Sequence, residues 1–447
     1  MFTNYQEAVE WINSLVKLGI KPGLQRMERL MEAFDYPHRR LKFIHVAGTN
    51  GKGSVCAMLD SVLRQCGYDV GVFTSPYMGK FTNRIQFNGQ EISEEDVLNL
   101  CNQIKPAVDE IALSPLGSPT MFEVVTTLAI LYFANVTYPY YVVWETGLGG
   151  RLDSTNIVVP VVSVITNIGE DHTEILGERL ADIAREKAGI IKSGVPVVSA
   201  ASQPEAIEIL ERTAKEKKAT LYLLNRQYKY EPVSAEADKQ RMNFYGPFRS
   251  ITEVPVSLSG AHQLENAAVT LMTLEVLRQF YAAILEDEDL LKGMESAKWP
   301  GRLELISAEP RILLDGAHNP PGARVLAAAL KDLYRYEKLH FMVGMLETKN
   351  HYSYLKHILP LVNTLIVTEP DFRKKADAAR LGEIASQLAQ ESGHTLDIIV
   401  EPDWKTALER LIGLTQPDDL AVVSGTLYLV SDVRSRLLDH SLFEKGW

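Results

Sequence analysis

Short runs rich in β-branched and aromatic residues recur along the chain at 43–46, 70–74, 141–144, 161–166, 195–199, 311–314, 339–343, 364–368 and 420–424. Most are continuously apolar rather than alternating, which predicts strands covered on both faces. Between them, 55–64, 94–108, 121–135, 180–192, 322–333 and 378–389 space their apolar residues three and four apart, the period of amphipathic helices. Alternating strands and helices predict an α/β protein with a mainly parallel sheet. The pattern breaks at Lys298-Trp299-Pro300-Gly301-Arg302 and then starts afresh, so two domains are expected, 1–297 and 298–447. The polar stretch 223–256 carries hairpin-like strands and is expected to decorate the first domain.

Length fits this division, since 447 residues exceed one ordinary domain. Charge narrows the partners. Forty-six Lys and Arg against 57 Asp and Glu leave a net charge of -11, a field that disfavours nucleic acid and acidic membranes but still allows a small anion in a locally positive pocket. Three cysteines without a CxxC pair point to a reducing compartment, the cytoplasm. The first residues lack a basic, continuously apolar leader. The longest apolar stretches fall short of the roughly 18 to 20 residues a membrane-spanning helix needs.

Chemistry first becomes specific at Phe43-Ile-His-Val-Ala-Gly-Thr-Asn-Gly-Lys-Gly-Ser54, a strand running into a glycine-rich turn and a helix. Such a turn aims backbone N–H groups at phosphate, and Lys52 adds a point charge. The strict GxxxxGK[ST] pattern is not met: Val46 stands at the first glycine and Gly53 follows Lys52. With no Asn-Lys-x-Asp run in the chain, a generic GTPase is disfavoured.

Other polar groups sit at predicted strand ends, where α/β sheets bind ligands. Ser75 follows the second strand, in a run that also reads as a Ser-Pro turn. Thr120 and Glu123 have the spacing of a capping box, which accounts for Glu123 without any function. Trp144-Glu-Thr-Gly-Leu-Gly-Gly-Arg-Leu-Asp153 combines a carboxylate, three glycines and paired charges, a combination suited to a hard cation beside phosphate. His172 ends the Asn167–His172 run in the same region. On helical spacing alone, Lys187 reads as a paired surface lysine. Arg302 lies at the joint between domains, and Asp315 and His318 follow the first strand of the second domain.

In order along the chain, Gly48–Ser54, Phe73-Thr-Ser-Pro-Tyr77, Glu145–Asp153, Asn167–His172, Glu186-Lys-Ala-Gly189, Asn266, Arg302 and Asp315-Gly-Ala-His-Asn-Pro320 resemble the folylpolyglutamate synthase and dihydrofolate synthase family of Mur-type ligases. Tyr77 and Asn83 depart from that family's usual residues. The resemblance implies an N-terminal P-loop-type, mostly parallel sheet with flanking helices and a smaller C-terminal Rossmann-like α/β domain. It implies ATP bound by Asn50, Gly51, Lys52, Gly53, Ser54, Asn266, Arg302, Asp315 and His318. It further implies a folate site at Phe122, Glu123 and Asp153, and Mg²⁺, with K⁺ as a further cation, at Ser75, Glu145 and His172. Lys187 would be carbamylated, and Lys52, Lys187 and His318 would act in catalysis. The implied reaction adds L-glutamate to a folate or to dihydropteroate through an acyl phosphate, in a cytoplasmic monomer. A Mur-type ligase acting on a cell-wall precursor and a P-loop regulatory ATPase are the alternatives.

Overall fold

The computed structural model describes residues 1–19, 21–76, 78–235 and 239–438, so Tyr77 lies outside the described residues. Eight strands form the first sheet: β1 (Phe43–Ala47), β2 (Val70–Phe73), β3 (Ile85–Phe87), β4 (Gln90–Glu91), β5 (Tyr141–Glu145), β6 (Val162–Ile165), β7 (Val197–Ser199) and β8 (Leu221–Leu223). Their order is β4-β3-β2-β5-β1-β6-β7-β8. Pairing is parallel except at β3 and β4, which close one edge as an antiparallel hairpin. The central strands β1, β2, β5 and β6 are buried along their full length, in agreement with their continuously apolar sequences.

Residues 229–256 form an antiparallel sheet of β9 (Lys229–Ala235), β10 (Gln240–Tyr245) and β11 (Ser250–Val256). Its inner face, with Met242 and Phe244, packs into the same core as the phosphate-loop helix Lys52–Gln65 and the helix Ala261–Tyr281. The third sheet holds β12 (Glu304–Ala308), β13 (Arg311–Leu314), β14 (Leu339–Val343), β15 (Thr364–Glu369), β16 (Asp397–Asp403) and β17 (Leu420–Ser424), in the order β12-β13-β17-β14-β15-β16. All its pairs are parallel except β12 with β13.

Two strands of this third sheet, β12 and β16, were not expected from the sequence. Both are edge strands with largely unburied side chains, so they lack the continuous apolar run that marks the interior ones. The expected helix over 180–192 ends instead at Ala188. At Gly189 the chain passes so close to Arg151 that a Cβ would collide with its backbone and side chain. The expected helix over 121–135 is α-helical only to Tyr132 and continues as one π-type turn, Phe133–Thr137.

Candidate functional site

Parallel strands present their C-terminal ends to one side, and the loops that follow β1, β2, β5 and β6 gather there. After β1, the phosphate loop turns at Gly51 (φ +82°), where a side chain would overlap the Asn266 amide. Gly53 is required for a different reason. A Cβ there would run into the indole of Trp299, so the residue that breaks the strict phosphate-loop pattern is where the interdomain joint packs on the loop. Lys52 folds its Nζ back to the Gly48 carbonyl at 3.1 Å. The Asn50 N–H donates to Asn167 Oδ1 at 2.8 Å, tying the loop to the end of β6. The buried Ser54 hydroxyl accepts from Gln263 Nε2 at 3.2 Å.

Glu145, at the end of β5, is buried and accepts the Ser75 N–H at 2.9 Å. Burial pushes its carboxyl up to about 6 against the opposing charges of Lys52 and Arg302. This buried carboxylate, bonded to the backbone of Ser75, is the hard oxygen donor type that Mg²⁺ takes, with phosphate and water completing its shell. Among the described residues, no three His, Cys, Asp or Glu side chains gather into a protein-only metal cage.

His172 adopts a left-handed backbone (φ 50°) beside Asp171. Asp171 collects partners from the C-terminal half: Lys349 Nζ at 2.6 Å, Asn319 Nδ2 at 3.0 Å and His318 Nε2 at 3.4 Å. Burial opposes ionisation here, yet the bond to His318 and the charges of His318, His172 and Lys349 hold the carboxyl far below its usual range. Lys349 Nζ also lies 3.5 Å from His172 Nε2. Neither Asp171 nor Lys349 stood out in the sequence. The available signal was positional, since Lys349 lies in the loop after β14 and Asp171 in the loop after β6, both at C-terminal strand ends.

Lys187 is 3% exposed and not the surface residue its helical spacing suggested. Burial first, and Lys52 second, bring its ammonium down to about 7. Glu123 is the N3 member of a capping box with Thr120 and takes Arg26 Nε on both oxygens at 3.0 Å. These bonds hold its carboxylate in the core, and Glu123 is not among the residues that line the two cavities beside it. Its neighbour Phe122 does line one. Asp153 lines the same cavity, with its carboxylate held by the N–H groups of Leu148 and Thr155. Asp315 accepts from the N–H groups of Leu303 and Ala317 at 3.0 and 2.9 Å.

Two cavities open on this cluster. The larger, about 550 Å³, is lined by Ser75, Phe122, Asp153, His172 and Lys349. The smaller, about 290 Å³, is lined by the phosphate loop, Asn266, Arg302 and Asp315. His318 lines both. Its Nδ1 donates to the Gly316 carbonyl at 2.9 Å, which orients the ring with Nε2 toward Asp171.

A phosphate-loop sheet facing a second parallel sheet across such a cleft defines the class of two-domain Mur ligases. The Mur ligase middle-domain model matches residues 46–274 and the glutamate ligase domain model residues 301–427. A Bacillus subtilis dihydrofolate synthase/folylpolyglutamate synthase is 38% identical over 98% of this chain and all of its own length. A Thermotoga maritima folylpolyglutamate synthase structure superposes with a TM-score of 0.85 at 33% identity, covering 99% of this chain and 98% of that one. An Escherichia coli FolC structure in complex with DHPP and ADP superposes at 0.86 and 28% identity, covering 98% of each chain. The chain belongs to the dihydrofolate synthase/folylpolyglutamate synthase family of Mur ligases.

Proposed function

We propose that this protein is an ATP-dependent ligase that adds L-glutamate to reduced folates and to dihydropteroate, working as a cytoplasmic monomer. The observation that carries this reading is the shared wall at His318, where a phosphate-loop cavity meets a larger, partly aromatic one. A nucleotide and a carboxylate substrate placed in the two cavities would meet where they join. Both are anions, and Lys349 and Arg302, one lining each cavity, supply positive charge there, with Lys52 behind them on the phosphate loop. Among the described residues no helix is long and apolar enough to cross a membrane.

In this mechanism the loop 48–54 and Lys52 hold the outer phosphates at the N-terminus of the Lys52–Gln65 helix. Phe122 and Asp153 hold the pteridine-bearing substrate, so that its free carboxylate attacks the γ-phosphorus and ADP leaves. The amine of glutamate then attacks the acyl phosphate and expels phosphate. Phosphoryl transfer of this kind depends on positioning and charge and needs no protein nucleophile. Mg²⁺, which Glu145, Ser75 and His172 would hold, would neutralise the phosphate charge. His318, with Nδ1 on the Gly316 carbonyl and Nε2 toward Asp171, would help orient the reacting groups where the two cavities meet. The two domains shield the acyl phosphate from water. Carbamylation of the buried Lys187 would convert a poorly solvated amine into a carboxylate near Lys52.

The deciding experiment measures ADP release and product mass with Mg²⁺, ATP and glutamate, comparing dihydropteroate, tetrahydrofolate and a cell-wall precursor. A mass gain of one glutamyl unit on a pteridine is expected. ADP release indifferent to the pteridines and to glutamate would replace this reading with that of a regulatory ATPase, and turnover of the cell-wall precursor alone with the other Mur chemistry.

A further inference from the structure

Every residue of β1 is buried, and His45 is its one polar side chain, set among Phe43, Ile44, Val46 and Ala47. Its ring is brought down to about 3 by burial and then by Lys192, so the imidazole is neutral and carries a single N–H. No step of the reaction touches it. Its Nδ1 has no hydrogen-bond partner, and a buried polar atom left in that state is destabilising. Its Nε2 lies 2.9 Å from the Thr155 hydroxyl.

β1 and β5 pair in parallel with His45 opposite Trp144, which puts both side chains on one face of the sheet. Both reach the same residue. Trp144 Nε1 donates to the Thr155 carbonyl at 3.0 Å, and the Thr155 hydroxyl lies 2.5 Å from Asp153 Oδ1. An ionised carboxylate only accepts, so the one hydroxyl proton goes to Asp153, and the hydroxyl in turn accepts from His45 Nε2–H. Asp153 is thereby held on both oxygens. Oδ1 takes the Thr155 hydroxyl and N–H, the latter at 3.0 Å, and Oδ2 takes the Leu148 N–H at 2.7 Å. Asp153 also caps the short helical turn Ser154–Ile157, which accounts for its bond to the Thr155 N–H. Capping does not account for a buried histidine behind the hydroxyl.

We infer that His45 is a positioning residue for the pteridine-bearing substrate, acting through the Thr155 hydroxyl to fix the Asp153 carboxylate in the wall of the larger cavity. The inference rests on the proposed function, in which Asp153 holds that substrate. A donor behind the hydroxyl obliges it to give its own proton forward, and the two bonds in series polarise each other. Without that donor the hydroxyl is free to rotate, and Asp153 loses its closest partner. His45 is not among the residues that line either cavity, so its effect on the substrate travels through Thr155.

The test is steady-state ligation by the full-length enzyme, with whichever of dihydropteroate and tetrahydrofolate it ligates, alongside thermal melts. His45→Leu and Thr155→Val should each raise KM for the pteridine about tenfold, the scale of one lost hydrogen bond to a charged group, while kcat and KM for ATP change less than about twofold. The double variant should be no worse than Thr155→Val, because both changes break one chain. His45→Gln, which keeps an N–H donor, and Thr155→Ser, which keeps the hydroxyl, should restore most of the affinity. A merely structural histidine would show the reverse, a lowered Tm with unchanged pteridine KM, and that result overturns the inference. So do additive losses in the double variant. If His45→Leu does not fold, His45→Phe takes its place, and failure of both to fold assigns the ring a structural role and also overturns the inference. If the unmodified enzyme neither ligates nor, by calorimetry, binds either pteridine, the proposed function fails and this inference with it. Normal ligation with an unchanged KM in His45→Leu overturns this inference alone.

Discussion

Lys187 shows how far a residue's environment can depart from its helical spacing. Its helix, Leu180–Ala188, packs against the glycine-rich loop after β5, where the Arg151 N–H reaches the Glu186 carbonyl at 2.7 Å. That contact buries a lysine whose neighbours in sequence are charged. With its ammonium at about 7, the amine is largely neutral at pH 8 and open to CO₂. Native mass spectrometry in bicarbonate at pH 8 is expected to show the added mass of CO₂, lost on acidification and absent from Lys187→Arg. A second buried charge gives a stability test. Asp432 is raised to about 7 by burial, against the weaker pull of Lys405. Its folded-state pKa lies above its unfolded one, so its contribution is fully present below about pH 4 and is lost as pH rises through 7. Asp432→Asn should therefore raise Tm at pH 8 and leave it nearly unchanged at pH 4, as read by thermal melts at both pH values. Glu123 is the reverse case. Its capping-box spacing was legible in the sequence, and the structure places its carboxylate in that box and against Arg26.

At the scale of elements, the interior strands declared themselves through unbroken apolar runs, because a strand between two neighbours and two helical layers has no wet face. Edge strands β12 and β16 carried no such mark, since half their surface meets water. The phosphate loop was legible as a loop, but the reason for its departure from the strict pattern was not. Trp299 lies 246 residues beyond Gly53 in sequence, and only folding brings the indole onto the loop. Gly53→Ser would restore the common residue type and collide with that ring. Overpacking of this kind costs about 1 to 3 kcal/mol. The variant is expected to lower Tm and raise KM for ATP, measured by thermal melts and ADP release. Trp299→Ala in the same background should recover part of the KM.

At the scale of the whole molecule, Asp171 joins the two halves. Its carboxylate binds Lys349, His318 and Asn319, and Asn319 also bonds Asn50 in the phosphate loop at 3.1 Å. Removing this hub should leave each sheet intact while loosening their closure. Asp171→Ala is expected to lower kcat by roughly 10²-fold, the scale of a lost positioning contact, and to increase proteolysis between the halves. Unchanged kcat would show that closure does not depend on it. The α/β class, the phosphate loop and the family could all be read from local pattern, because strand burial, turn geometry and motif order are written in neighbouring residues. The meeting of Asp171 with Lys349, the burial of Lys187 and the contact of Trp299 with Gly53 were decided by tertiary packing. Each depends on groups far apart in sequence sharing a space from which water is excluded, and no local period encodes which groups will share it.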